Sequence, residues 1–154
     1  MLASASVTAA ELKVGYIQVD KILKEAPQTA ETGKKLEREF SQRSLELKDM
    51  QKEMLAIETD LEKESSTLSE AARRSKQRKA SGLRVEFNRK QRELREDINI
   101  RKNEELSILQ DRINAAVKTV SEAGGYDIVM YGGVAYASNK IDITDKVLKL
   151  LSEQ

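Results

Sequence analysis

Residues 36–68 read LEREFSQRSLELKDMQKEMLAIETDLEKESSTL. Stepping from Leu36 to Phe40, Arg43, Leu47, Met50, Met54, Ile57, Leu61, Glu64 and Leu68 gives intervals that alternate between four and three. That spacing is a heptad seam, with Arg43 and Glu64 as polar interruptions. Glu, Lys, Arg, Gln and Ser fill most of the positions between, and all are tolerated on a helix surface. A strand would need apolar residues at every second position, which this stretch lacks.

A second stripe follows: Ala80, Leu83, Phe87, Leu94, Ile98, Leu109, Ile113, Val117 and Val120. Phe87 to Leu94 is one heptad, whereas Ile98 to Leu109 is eleven residues, so four have been inserted near Arg101 and Lys102. Such a stutter locally unwinds a left-handed supercoil, and regular coiled-coil geometry is expected to fail there. Between the two stripes, Ser65, Ser66, Thr67 and Ser69 form the weakest helical run, and Ser69 before Glu70 suits an N-cap. A turn centred near Thr67 sets Leu61 opposite Arg73, Met54 opposite Ala80, Leu47 opposite Phe87, Phe40 opposite Leu94 and Leu36 opposite Ile98. A turn about ten residues later, pairing Ile57 with Ile98 and Phe40 with Ile113, is the alternative; the serine run favours the first. On that register Leu106 to Val120 finds no partner in the first helix, so something else must cover it.

Composition agrees with long helices. Of 154 residues 34% are charged and 4% aromatic, with one proline and no tryptophan, which leaves a thin core. The net charge is +1 with acids and bases intermingled, more balanced than a dedicated nucleic-acid binder. Pairs such as Glu31/Lys35, Glu39/Arg43 and Glu86/Lys90 sit four apart, the spacing that supports a helix. Met50 and Met54, which could adapt to varied apolar partners, lie on the seam and read as core. The sequence has neither cysteine nor histidine, which removes disulfides, thiol catalysis, Ser–His–Asp triads and most zinc sites. Gly33-Lys34-Lys35 lacks the upstream glycine and following Ser/Thr of a phosphate loop, and the glycine pairs do not fit GxGxxG. Carboxylates abound on solvated helices, where no apolar pocket would tune one for acid catalysis. The residues therefore point away from an enzyme, a cofactor or a metal, and toward work done without ATP.

The ends of the chain supply a small body. Lys13–Val19 (KVGYIQV) reads as a strand. Lys21–Ala26 reads as a short helix that Asp20 can cap. Pro27 ends it and can open the next helix. Gly124-Gly125 stops the long arm. Tyr126–Tyr131 reads as a strand, Gly132-Gly133 as a primed turn, Val134–Ala137 as the returning strand, and Asp142 or Thr144 as the cap of a final amphipathic helix. The expected organisation is residues 1–10 as a tail or export-signal remnant, 11–27 and 124–154 as a small β body that mediates oligomerisation, and 28–123 as a coiled-coil arm turning near 65–69. MLASASVTAA has small residues fitting an A-x-A-like cleavage site but no basic or apolar region of an intact signal. No apolar run approaches the roughly 20 residues of a membrane span. Three short strands with exposed edges make a poor core alone, so strand pairing between subunits is expected, and with it cover for Leu106–Val120. The body residues expected at that shared surface are Val14, Tyr16, Ile17, Val19, Ile128, Met130, Val134 and Tyr136. The fold class is α+β, predominantly α: a long antiparallel coiled-coil hairpin on a small shared β body.

One basic cluster stands out: Arg73, Arg74, Lys76, Arg78, Lys79 and Arg84, with no acid between Glu70 and Glu86. At the tip of the arm, single-sign charge could draw acidic clients or anionic lipid, or could be an ordinary solvated face.

The order of elements resembles one known family. KVGYIQVDKIL, a charged helical hairpin, YDIVMYGGVAYAS and DITDKVLKLL together resemble the Skp/OmpH periplasmic chaperones of Gram-negative bacteria, over about Glu11 to Leu151. The resemblance implies a jellyfish-like homotrimer: a β body assembled from three chains and helical arms around a cavity. It implies an ATP-independent holdase in the periplasm that keeps unfolded outer-membrane proteins soluble on their way to outer-membrane assembly. A lipopolysaccharide contact implied by the family falls on Lys90, Arg101 and Arg112, with Ile100 where an adjacent base would be expected. Two other readings stay open on the residues alone: a structural coiled-coil adaptor for one folded partner, and a prefoldin-like cytosolic chaperone.

Overall fold

The computed structural model describes residues 11–64 and 67–153. The supposed export remnant at residues 1–10 lies outside the described residues, as do Ser65, Ser66 and Gln154. The chain divides into two compact units. One holds the described residues up to 31 and from 106 onward; the other is Thr32–Glu105.

In the first unit, strand β1 (Val14–Tyr16) leads to helix α1 (Val19–Glu25), and Pro27 opens the long helix α2 (Pro27–Lys63). Proline suits that place because a first-turn N–H has no helical partner to lose. Helix α3 (Glu70–Gly124) supplies its residues 106–124 to this unit, followed by strand β2 (Ile128–Met130) and helix α4 (Thr144–Ser152). β1 and β2 pair in parallel, Val14 with Ile128 and Tyr16 with Met130. Helices intervene between the two strands, as a parallel pair requires.

The expected hairpin is not formed. Gly132 and Gly133 do take positive φ, 63° and 61°, but Val134–Ala137 is not a strand. The other edge of β1 is already taken: Tyr16 N donates to Ile141 O at 2.8 Å, and Ile143 N donates to Tyr16 O at 2.8 Å. Residues 141–143, beyond Val134–Ala137, thus take the remaining edge of β1, while among the described residues 134–137 make no ladder with β2, whose outer edge stays unpaired.

Leu109, Ile113 and Ala116 are buried together with Ile17, Ile22, Ala26, Ile143, Val147 and Leu151, with Val117 and Val120 packed against them. From Leu109 to Val120 the stripe thought to need a second subunit is therefore covered by the chain's own α1 and α4, whose apolar faces close over α3, while Leu106 stays exposed. That removes one of the two sequence arguments for association. Local hydrogen bonds pin the pieces. Gln18 N donates to Thr144 Oγ1 at 2.9 Å, and Thr144 N donates to Asp142 Oδ1 at 2.9 Å. Burial alone would raise the Asp142 carboxyl, but the bonds it accepts from Thr144 and Gln18 outweigh that and hold it below the ordinary carboxylate range. Gln28 Nε2 donates to Leu151 O at 2.6 Å and satisfies a carbonyl at the end of α4.

α3 ends in a tight cap. Gly125 has φ 61°, and Tyr126 N reaches back to Ser121 O at 3.0 Å. This left-handed closing residue is why a glycine is needed there. Gly125→Ala is expected to cost roughly 1–2 kcal/mol, read as a lower urea midpoint, with Gly125→Asn recovering part of the loss.

Candidate functional site

The second unit, Thr32–Glu105, pairs α2 with α3. α2 ends at Lys63 and α3 starts at Glu70; Ser69 Oγ accepts from Ala72 N at 3.2 Å, an N-cap. Along α2 the inward positions are Leu36, Phe40, Arg43, Leu47, Met50, Met54, Ile57 and Leu61, all buried or half-buried. Along α3 they are Ala72, Lys76, Ala80, Leu83, Phe87, Lys90, Leu94, Asp97, Ile98, Arg101 and Glu105. Phe40, Ile57 and Leu94 are the most deeply buried apolar side chains of this unit.

Ion pairs lace the helices together. Lys76 meets Asp60 at 3.0 Å and Glu64 at 3.1 Å, Lys79 meets Glu53 at 2.8 Å, Arg84 meets Glu58 at 2.5 Å and Lys90 meets Glu46 at 3.5 Å. Nearer the open end, Arg43 meets Asp97 at 2.6 Å, Arg101 meets Glu39 at 3.0 Å and Lys35 meets Glu105 at 2.6 Å. The pairs exclude the register with a later turn. Most of these partners also lie further along α3 than a plain fold about Thr67 gives, because side chains lean toward the N-terminus of their own helix. In an antiparallel pair the two leans add. Exposed ion pairs stabilise little individually, so these mainly select the register.

The stutter did not break the helix. α3 runs unbroken through Arg101, and the seam passes from Ile98 to Arg101, Glu105 and Leu109 in steps of three, four and four. An ionic layer fills the gap in the apolar stripe. Glu105 is 7% exposed and accepts from Lys35 Nζ at 2.6 Å and Arg101 at 3.0 Å. The hydrogen bond from Lys35 lowers its pKa, assisted by the charge of Arg101 and opposed by burial. Arg101 also binds Glu104 and Glu39, which hold its pKa above the usual arginine value. A carboxylate whose pKa is depressed on folding stabilises the fold above its ordinary pKa of 4.5, and that contribution is lost as pH falls through the lower folded value. Acid titration of the urea midpoint from pH 7 to 3 should therefore show a smaller acid loss in Glu105→Gln than in the parent chain. Equal losses would mean that Glu105 is not held as an anion.

The basic cluster looks different once α2 is beside it. Arg74 pairs with Glu70, and Lys76, Lys79 and Arg84 are neutralised by α2 acids. Residues 53–84 carry seven bases against six acids. Among the described residues, only Arg73 and Arg78 of the cluster make no ion pair. The end of the hairpin is thus nearly neutral, not a single-sign patch, because a charge run on one helix attracts its complement on the other. Of the three residues assigned to a lipopolysaccharide contact, Arg101 is half-buried and held by three carboxylates, so it is not available to an external anion. Lys90 faces Glu46 and Glu86, and Arg112 is exposed.

Among the body residues, Ile17 is buried inside its own chain and is not a surface residue. Val14, Tyr16, Val19 and Val134 are half-buried; Ile128, Met130 and Tyr136 are exposed, as is neighbouring Tyr131. The sequence reading missed Asp97, Glu104 and Glu105, and it set Lys35 and Glu39 in pairs four apart along α2 where they in fact meet Glu105 and Arg101 of α3. Their signal was present in part: Arg101 and Glu105 keep the helical step between Ile98 and Leu109.

The family model for the OmpH-like outer membrane proteins matches residues 13–151. The chain belongs to the OmpH family. Curated relatives of this OmpH-family chain include proteins named chaperone protein Skp. That of Pectobacterium atrosepticum is 35% identical over 150 residues, spanning 97% of this chain and 90% of the relative. That of Escherichia coli K12 is 30% identical over 150 residues, spanning 96% and 91%. A crystal structure described as a putative OmpH-like outer membrane chaperone from Caulobacter crescentus superposes with a TM-score of 0.79 at 16% identity, over 99% of this chain and 91% of that one. At that identity the match speaks for the fold alone.

Proposed function

We propose that this OmpH-family chain is an ATP-independent holdase of the periplasm that binds unfolded outer-membrane proteins and hands them on for assembly. It would act as a homotrimer, with bodies joined and helical arms enclosing the client. The observation that carries the reading is the Thr32–Glu105 hairpin. Its apolar seam is consumed internally, its charges are paired across the helices, and it leaves scattered apolar side chains such as Leu45, Leu55 and Val85 more than half exposed. Many weak apolar contacts of that kind hold a chain in solution and still release it. Support for association comes from the exposed Ile128, Met130, Tyr131 and Tyr136, since apolar surface of that extent usually meets a partner. Kinship with proteins named as chaperones supports the client class.

The test is light scattering during dilution of an unfolded outer-membrane β-barrel protein from urea. Suppression of aggregation, saturating near one client per three chains and unaffected by ATP, is the expected result. Aggregation unchanged at every ratio would overturn the proposal.

A further inference from the structure

An apolar depression lies on the surface of the helical hairpin. Its floor is Leu36, Phe40 and Ile98, and Leu45 forms one wall at 54% exposure. Glu37 and Lys48 stand at the rim, one charge of each sign. Two serines also line it, and neither asks anything of an occupant. Ser41 Oγ donates to Arg38 O at 2.9 Å, and Ser44 Oγ donates to Phe40 O at 3.0 Å. With both hydroxyl protons used by their own helix, the depression offers apolar contact without a donor to satisfy.

Its size decides the occupant. The lining on α2 runs only from Leu36 to Lys48, about three turns, with Ile98 alone from α3. A stable protein–protein interface takes about 20–30 residues a side, so a second folded copy or a folded partner would gain too little here. A short extended stretch of polypeptide fits the length and the chemistry: about 18 Å along α2 matches about five or six extended residues, which turn about three side chains to one face. We infer that the Leu36–Phe40–Leu45–Ile98 depression is a subsite that takes a short extended stretch of a bound unfolded chain through its apolar side chains. This rests on the holdase reading and assigns a place to part of its binding. The unsigned rim implies that the subsite selects for apolar character and not for charge.

The test compares Leu45→Asp with Gln51→Asp in the full-length protein. Gln51 is also on α2 and exposed, but it is not apolar and does not line the depression. The probe is a fluorescein-labelled, 20-residue synthetic peptide alternating Leu or Phe with Ser, and binding is read by anisotropy. Leu45→Asp should weaken binding about tenfold, the scale of losing one buried leucine-sized contact, while Gln51→Asp stays within about twofold. Circular dichroism and solution mass should match the parent in both variants. Equal affinities for all three proteins, or equal losses in both variants, would overturn the subsite while leaving the holdase proposal standing. A drop in solution mass for Leu45→Asp would also overturn it, because the depression would then be covered by another subunit. Absence of peptide binding by the parent, together with unsuppressed aggregation of an outer-membrane protein, would remove the holdase reading and the subsite with it.

Discussion

Ile113→Ala should destabilise the body by about 2–5 kcal/mol, the range for truncating a large buried aliphatic residue. Ile113 is 1% exposed and sits in the cluster that joins Ile17, Ile22, Ile143, Val147 and Leu151. Removing three carbons there leaves a hole bounded by four segments of chain, which cannot all collapse into it. Leu106→Ala offers the comparison: the same helix, but 44% exposed, with an expected cost below about 1 kcal/mol. Urea unfolding followed by circular dichroism reads both. Similar small costs for the two would mean that the core does not close within one chain, and that cover for the α3 stripe comes from elsewhere.

Ser81→Pro should melt the hairpin. Ser81 is an exposed residue well inside α3, so nothing but backbone is at stake. Proline removes one helical hydrogen bond and clashes with the carbonyl four residues back, at about 3 kcal/mol or more. Hydrogen exchange is the measurement. Amides within residues 32–63 and 70–105 should lose protection together, since each helix buries its seam only on the other. Ser81→Ala, which leaves the backbone intact, should be neutral or slightly stabilising. The proline variant should also fail to suppress aggregation. If protection is lost but holding persists, the apolar contacts that matter lie outside the hairpin.

Much of this was legible in the sequence. Helical periodicity is local, so the eight seam residues that lie on α2, from Leu36 to Leu61, could be read directly and do face inward. Pro27, Ser69 and the Gly124-Gly125 stop act within their own few residues of chain and were equally readable. What failed was non-local. Val134–Ala137 has the composition of a strand, but composition does not decide whether the chain folds back onto β2, and here it runs on to pair Ile141–Ile143 with β1 instead. The basic run from Arg73 to Arg84 reads as one-signed until α2 places Glu53, Glu58, Asp60 and Glu64 against it. Arg101 was assigned to an external anion from the family resemblance, and its carboxylate on α2, Glu39, lies 62 residues away in sequence. A search for apolar stripes passes over such a layer because its inward residues are charged. The shared-body argument was weakened rather than removed, since α1 and α4 cover the α3 stripe while the β2 surface stays exposed.

The most direct measurement is the molar mass, by light scattering on a sizing column, of the purified protein alone and after mixing with an unfolded outer-membrane β-barrel protein diluted from urea. A mass of three chains alone, and of three chains plus one soluble client in the mixture, is the expected result. A single-chain mass with all of the client lost to precipitate would contradict both the association and the holdase function.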